Sequence, residues 1–170
     1  LIREHNMKFA LTAMLAACCA LQPAVAADAG YAIRLMTPET ALKAALAGQA
    51  ACRKAGFQVA IAVVDRTGQV QVVLRDRFAG MHTPEAAIDK AWTAVSFKMD
   101  TTALAKATGA ATASSGIRQM LRVLAVGGGT VIEAAGAPYG AIGVSGAPSG
   151  DNDDMCARAA IDAVIDDLNL

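Results

Sequence analysis

The 170-residue chain carries 15 basic and 15 acidic residues, is 55% hydrophobic, and has only 4% aromatic residues. A formal net charge of +0 leaves no basic field to release counterions from a phosphate backbone, which argues against a nucleic-acid partner. The length suits one domain whose core needs no metal or disulfide staple.

Met7-Lys8 opens a short positive start, and Phe9 to Leu21 is an apolar run too short to span a bilayer. Ala24-Val25-Ala26 has the small-x-small pattern that signal peptidase reads. The expectation is a cut before Ala27, with residues 1–26 as upstream sequence and signal peptide. Residues 27–170 are then one mature domain, periplasmic or secreted. Leu15-Ala16-Ala17-Cys18 resembles a lipoprotein box, so lipidation of Cys18 is the competing reading. The short apolar stretch before Cys18 and the good cut after it favour the soluble form. No later stretch is long enough for a transmembrane span. Loss of Arg3, Lys8 and Glu4 with the leader shifts the net charge by one unit. Cys52 and Cys156 remain in the mature part. In an oxidising compartment they could pair, and two separate buried cysteines fit as well. No Cys-x-x-Cys motif or zinc-spaced His/Cys cluster is present.

In chain order, Thr37-Pro38-Glu39 predicts a capped helix with an apolar stripe of Leu42, Ala45 and Leu46, stopped by Gly56. Val59 to Val64 is a continuous apolar run, as in a strand covered on both faces. Asp65-Arg66-Thr67-Gly68 predicts a tight turn. The return strand alternates, with Val70, Val72 and Leu74 on one side and Gln71 and Arg75 on the other. Thr83-Pro84-Glu85 opens a second helix, capped by Thr83, that buries Ile88, Ala91, Trp92 and Val95. Asp100 to Arg122 predicts short helical pieces broken around Gly109 and Gly116. Gly127-Gly128-Gly129 leads into a strand, Thr130 to Glu133, and Gly136 to Tyr139 turns the chain into a last strand, Ala141 to Ser145. Asp151 to Asp154 starts the final helix, whose apolar face is Ile161, Val164, Ile165 and Leu168. Hairpins imply antiparallel pairing. The predicted fold is therefore α+β, an antiparallel sheet of about four to five strands flanked by helices in a single domain.

Few residues announce chemistry, and none names a catalytic role. His82 is the one histidine left after cleavage, and it stands in the glycine-containing loop Phe78 to Thr83, where imidazole can meet a ligand or a metal such as haem iron. A solvent-facing loop histidine is the plain alternative. Arg75, Asp76 and Arg77 end the preceding strand beside this loop, with the two arginines placed to hold acidic groups such as haem propionates. Ordinary alternating surface charge reads the same way. Met81, with Met99 and Met120, can pack on a flat apolar ring or simply fill the core. The triple glycine precedes a strand, and no Gly-Lys-Ser/Thr follows, so it reads as a flexible turn and not a phosphate loop. Gly143-Val144-Ser145-Gly146 lacks the second spacing glycine of a nucleophile elbow. Its glycines read as sites of close packing and turning.

Three blocks in order resemble the GlcG/HbpS-like domains: Val59 to Asp65 with its glycine turn and return strand, Asp89-Lys90-Ala91-Trp92-Thr93-Ala94, and Gly140 to Gly146 before an acidic helix start. Gly127-Gly128-Gly129-Thr130 departs from the Pro-Gly-Gly turn common in members. The resemblance implies a small profilin/PAS-like sandwich, often assembled into homo-oligomers, in a family labelled haem-binding or haem-degrading. It transfers no iron ligand, and His82 rests on the residues alone. The leading expectation is an exported haem-binding protein for haem capture, storage or sensing. The alternatives are a cofactor-free enzyme or binder for a small organic acid, and an accessory protein acting through its assembly surface.

Overall fold

The computed structural model describes residue 30 and residues 32–169. Met7, Cys18 and the cut before Ala27 lie outside the described residues. Residues 34–169 belong to one compact unit. Its elements are α1 (Pro38–Lys54), β1 (Ala60–Asp65), β2 (Val70–Arg75), α2 (Thr83–Phe97), α3 (Thr101–Ala107), a 3-10 turn (Ser115–Gln119), β3 (Gly129–Ala134), β4 (Ala137–Ser145), α4 (Gly150–Asp162) and the short α5 (Ile165–Leu168). The four strands form one antiparallel sheet in the order β2-β1-β4-β3.

Local chemistry sets most element ends. Thr37 caps α1 by accepting from the Thr40 N–H at 3.2 Å, and Gly56 leaves the helix at φ +84°. At the β1–β2 turn, the Asp65 carboxylate accepts from the Thr67 N–H and hydroxyl at 2.8 and 2.6 Å and from the Gln69 N–H at 3.1 Å. Between β3 and β4, Ala135 and Gly136 take φ of 49° and 74°, the positive pair of a primed hairpin turn. β4 therefore starts at Ala137, earlier than the predicted Ala141.

The sheet is covered on both faces. One face buries Ile61, Val63, Ile132, Ile142 and Val144 against α1 and α4. The other buries Ala60, Ala62, Val64 and Ala141 against α2. All six residues of β1 are accordingly buried, as its unbroken apolar run predicts. Each buried Ile or Val contributes about 1.5–3 kcal/mol.

Three expectations need correction. The core face of α1 is Ala41, Ala44, Ala45, Gly48 and Cys52, whereas Leu42 and Leu46 are exposed. The physical reason is distance. A Cβ on Gly48 would lie 3.0 Å from the Ala160 Cβ, so α1 and α4 meet through small residues, and Cys52 and Cys156 join them as a disulfide. In β2, a register shift between Val63 and Val64 skips Gln71, so Val70 pairs with Val64 and leaves the set of Val72 and Leu74. The last helix breaks after Asp162, and Val164 and Leu168 reach the core from α5 and its lead-in. Among the described residues, no helix is long and apolar enough to cross a membrane.

Candidate functional site

The chain leaves β2 at Arg75 and enters α2 at Thr83, and the loop between them is fastened at its root. Asp76 is 2% exposed. Its carboxylate accepts from the Arg53 guanidinium (Nε at 2.7 Å) and from the Val59 N–H at 3.1 Å, and its own N–H donates to the Val59 carbonyl at 2.9 Å. Two tight turns follow. The Ala79 N–H donates to the Asp76 carbonyl at 3.1 Å, and the Thr83 N–H and hydroxyl donate to the Gly80 carbonyl at 3.1 and 2.7 Å. The Arg75 guanidinium donates to the Ala79 carbonyl. Thr83 therefore bridges back into the loop, and the helix cap position falls to His82, whose side chain makes no capping bond.

This bracing turns the loop's other side chains outward. Phe78 is 80% and Met81 90% exposed, and Arg77 and His82 are also exposed. The imidazole lies against Gly80, where a Cβ would meet its Cε1 at 2.8 Å. Arg75 at the strand end is engaged in holding the loop, and Arg77, Met81 and His82 stand exposed along it. Met99 is elsewhere, lining a groove beside β3. Among the described residues, no cluster of three His, Cys, Asp or Glu could hold a metal ion.

A second polar centre, unforeseen in the sequence, lies inside the fold. Lys90 projects from α2, and its ammonium donates to Asp153 Oδ2 at 2.7 Å and to the Val144 carbonyl at 2.9 Å. Lys90 is 4% and Asp153 3% exposed. Asp153 Oδ1 accepts from the Ala147 N–H at 3.0 Å, and neighbouring Asp154 accepts from the Gly128 N–H at 2.6 Å and the Thr102 hydroxyl at 2.5 Å. Burial pushes the Asp153 carboxyl above its ordinary value, and the Lys90 contact only partly offsets this. Here the triple glycine is explained. A Cβ on Gly128 would lie 2.5 Å from the Val144 carbonyl oxygen and 2.9 Å from Lys90 Nζ, so the segment is a packed crossing, not the flexible turn expected of it. The pair ties α2, β4 and α4 together and does not reach solvent. A third cluster stacks the Arg122 guanidinium 4.9 Å from the Trp92 ring centroid and pairs it with Asp89 at 3.2 Å.

These features fall within a known group. The family model described as "Haem degrading protein HbpS-like" matches residues 36–162, and the chain belongs to this family. Solved structures agree. A double mutant of Streptomyces reticuli HbpS is 39% identical, with a TM-score of 0.76 over 85% of this chain and 97% of that one. Klebsiella pneumoniae protein ORFY is 25% identical, with a TM-score of 0.77 over 81% and 95%. A structure described as a PduOC:Heme complex is 28% identical, with a TM-score of 0.72 over 76% and 95%. No curated protein matches the sequence.

Proposed function

We propose that this protein is exported and binds haem, serving its capture, storage or sensing. The carrying observation is the exposed imidazole of His82 on a braced loop, flanked by Phe78 and Met81 at 80% and 90% exposure. Apolar side chains so far into water fit a surface that another body covers. A porphyrin suits this set: it is flat and apolar, carries carboxylates, and its iron accepts imidazole. In this reading His82 is the iron ligand, Met81 lies against the ring, and a guanidinium meets a propionate. Arg77 forms no ion pair among the described residues, whereas Arg75 is held by Ala79, so Arg77 is the better placed of the two. Bound haem would supply a redox-active, Lewis-acidic iron. The protein's part is to hold the imidazole and the carboxylates in place.

Relatives support the reading through a family described as haem-degrading and a fold neighbour described with haem. The disulfide between Cys52 and Cys156 favours an oxidising compartment, consistent with the periplasm and with cleavage before Ala27. The loop is open on its outer side, which favours a homo-oligomer in which a second copy covers the ligand. Haemin titration of the mature protein, followed at the Soret band, tests the proposal. Absence of a saturable band would overturn it.

A further inference from the structure

The sheet has two edge strands, β2 and β3, and only one of these edges is closed. At β3, Asp100 Oδ1 accepts from the Val131 N–H at 3.0 Å, which blocks strand addition there. β2 has no such guard. Bonded pairs alternate along an antiparallel ladder. Val72 and Leu74 stand opposite Val63 and Ile61, and the Asp76 N–H donates to the Val59 carbonyl at 2.9 Å, so these alternate residues carry the bonds to β1. The N–H and C=O of Val73 and Arg75 therefore point away from β1, and no other described residue bonds them. Val70 and Val73 are exposed beside them. β2 lacks the lysine or proline that commonly blunts an edge, and the Arg75 side chain is turned to the Ala79 carbonyl.

A second observation falls on the same side of the molecule. Leu42 and Leu46, 42% and 51% exposed, lie with Arg53 at i, i+4 and i+11 of α1, hence on one side of the helix. Arg53 pairs with Asp76, the residue just past β2, so this side of α1 looks toward the β2 edge. The exposed leucines and the free strand edge thus form one surface. Only another strand offers backbone donors and acceptors at the matching spacing, and β2 is itself such a strand. Laid antiparallel on a second copy with Leu74 opposite Leu74, Val73 meets Arg75 of the second copy and Arg75 meets its Val73. This register bonds the free N–H and C=O of both residues on both copies, and each arginine stands opposite a valine, so no like charges meet. We propose that β2 and the leucine side of α1 form a twofold interface with a second copy of this chain, joining two sheets into one through β2. The interface does not rest on haem binding.

The test is light scattering of the haem-free mature protein at micromolar concentration. Val73→Pro removes an N–H that the fold itself does not use, and Leu46→Glu puts a charge on an exposed helix position. Both variants should keep the parent's circular dichroism and lose this contact, so that the mass falls to about half. In hydrogen exchange, the Val73 and Arg75 amides of the parent should exchange at least about tenfold more slowly than those of Leu46→Glu. Leu46→Glu carries the test if Val73→Pro does not fold. The proposal fails if the parent is a monomer, or if folded Leu46→Glu keeps the parent's mass. It also fails if the Val73 and Arg75 amides exchange as fast in the parent as in Leu46→Glu. Haemin titration of the parent reads the proposed function separately, since the mass of the haem-free protein does not depend on it.

Discussion

Removing the disulfide should cost this protein a large share of its stability, with little change to the folded core. Cys52 and Cys156 are fully buried, join α1 to α4, and stand 104 residues apart in sequence. Cross-linking a loop of about 100 residues lowers the entropy of the unfolded chain by an amount worth about 4.7 kcal/mol in the chain-entropy model, and native bridges typically deliver 2–5. Against a total of about 5–15 kcal/mol for a domain, that is enough to make the reduced protein marginal, which corrects the expectation from length that the core needs no staple. The perturbation is Cys52→Ala with Cys156→Ala, which keeps the interface between small residues around Gly48 and Ala160. The assay is urea unfolding of the oxidised protein and the double variant. The midpoint should fall, and the m-value should rise because the unlinked chain exposes more surface. An unchanged midpoint and slope, or two alkylatable thiols in the native exported protein, would refute the reasoning.

Gly143→Ala should also unfold the domain readily. A Cβ there would lie 1.9 Å from the Ala87 carbonyl oxygen and 2.8 Å from the Ala91 N, so α2 would have to leave β4. Overpacking of this kind costs about 3 kcal/mol, whereas Gly116→Ala, with nothing within 4 Å, should melt like the parent. Stability should depend on pH in two opposed ways. For Asp65, burial raises the carboxyl, but hydrogen bonds from Thr67, Gln69 and Gln71 outweigh it and hold the group below its ordinary value. Its contribution is present above about pH 4 and is lost as pH falls through the lowered value. Asp153 titrates above its ordinary value, so the folded state binds its proton more readily and this contribution grows as pH falls toward about 4. Denaturation across pH should show Asp65→Asn losing the acid fall and Asp153→Asn losing the opposing rise; unchanged profiles would contradict both assignments. After export, intact mass should place the N-terminus at Ala27 and light scattering should give more than one copy. A diacylated Cys18 or a monomer at micromolar concentration would contradict those two expectations.

Features written in neighbouring residues were legible in the sequence. The buried strand around Val63, the Asp65 turn and the helix opening at Thr37 each follow from local chemistry. The candidate loop was legible for the same reason, because Arg75, Arg77, Met81 and His82 lie within eight positions of one another. Contacts across long separations were not. Lys90 and Asp153 are 63 residues apart, and Asp153 read only as an acid suited to a helix start. A signal for Lys90 did exist, as a lone cation on the face of α2 shared by Ala87, Ala91 and Ala94. Hydropathy also misled on α1. It favours Leu42 and Leu46, whereas close approach to α4 selects Ala41, Ala45 and Gly48. The triple glycine looked loose for want of side chains, and that same lack lets three segments cross there.

The central claim, haem held through His82, is tested most directly by titrating haemin into the mature protein and its His82→Ala and Arg77→Ala variants while recording visible spectra. Arg77 is exposed, and an exposed charge pair contributes about 0–1 kcal/mol, so Arg77→Ala should weaken binding by only a few-fold. His82→Ala should shift the Soret band and weaken binding much more. An unshifted Soret band in His82→Ala would contradict the account and move the iron to an oxygen or sulfur ligand such as Met81.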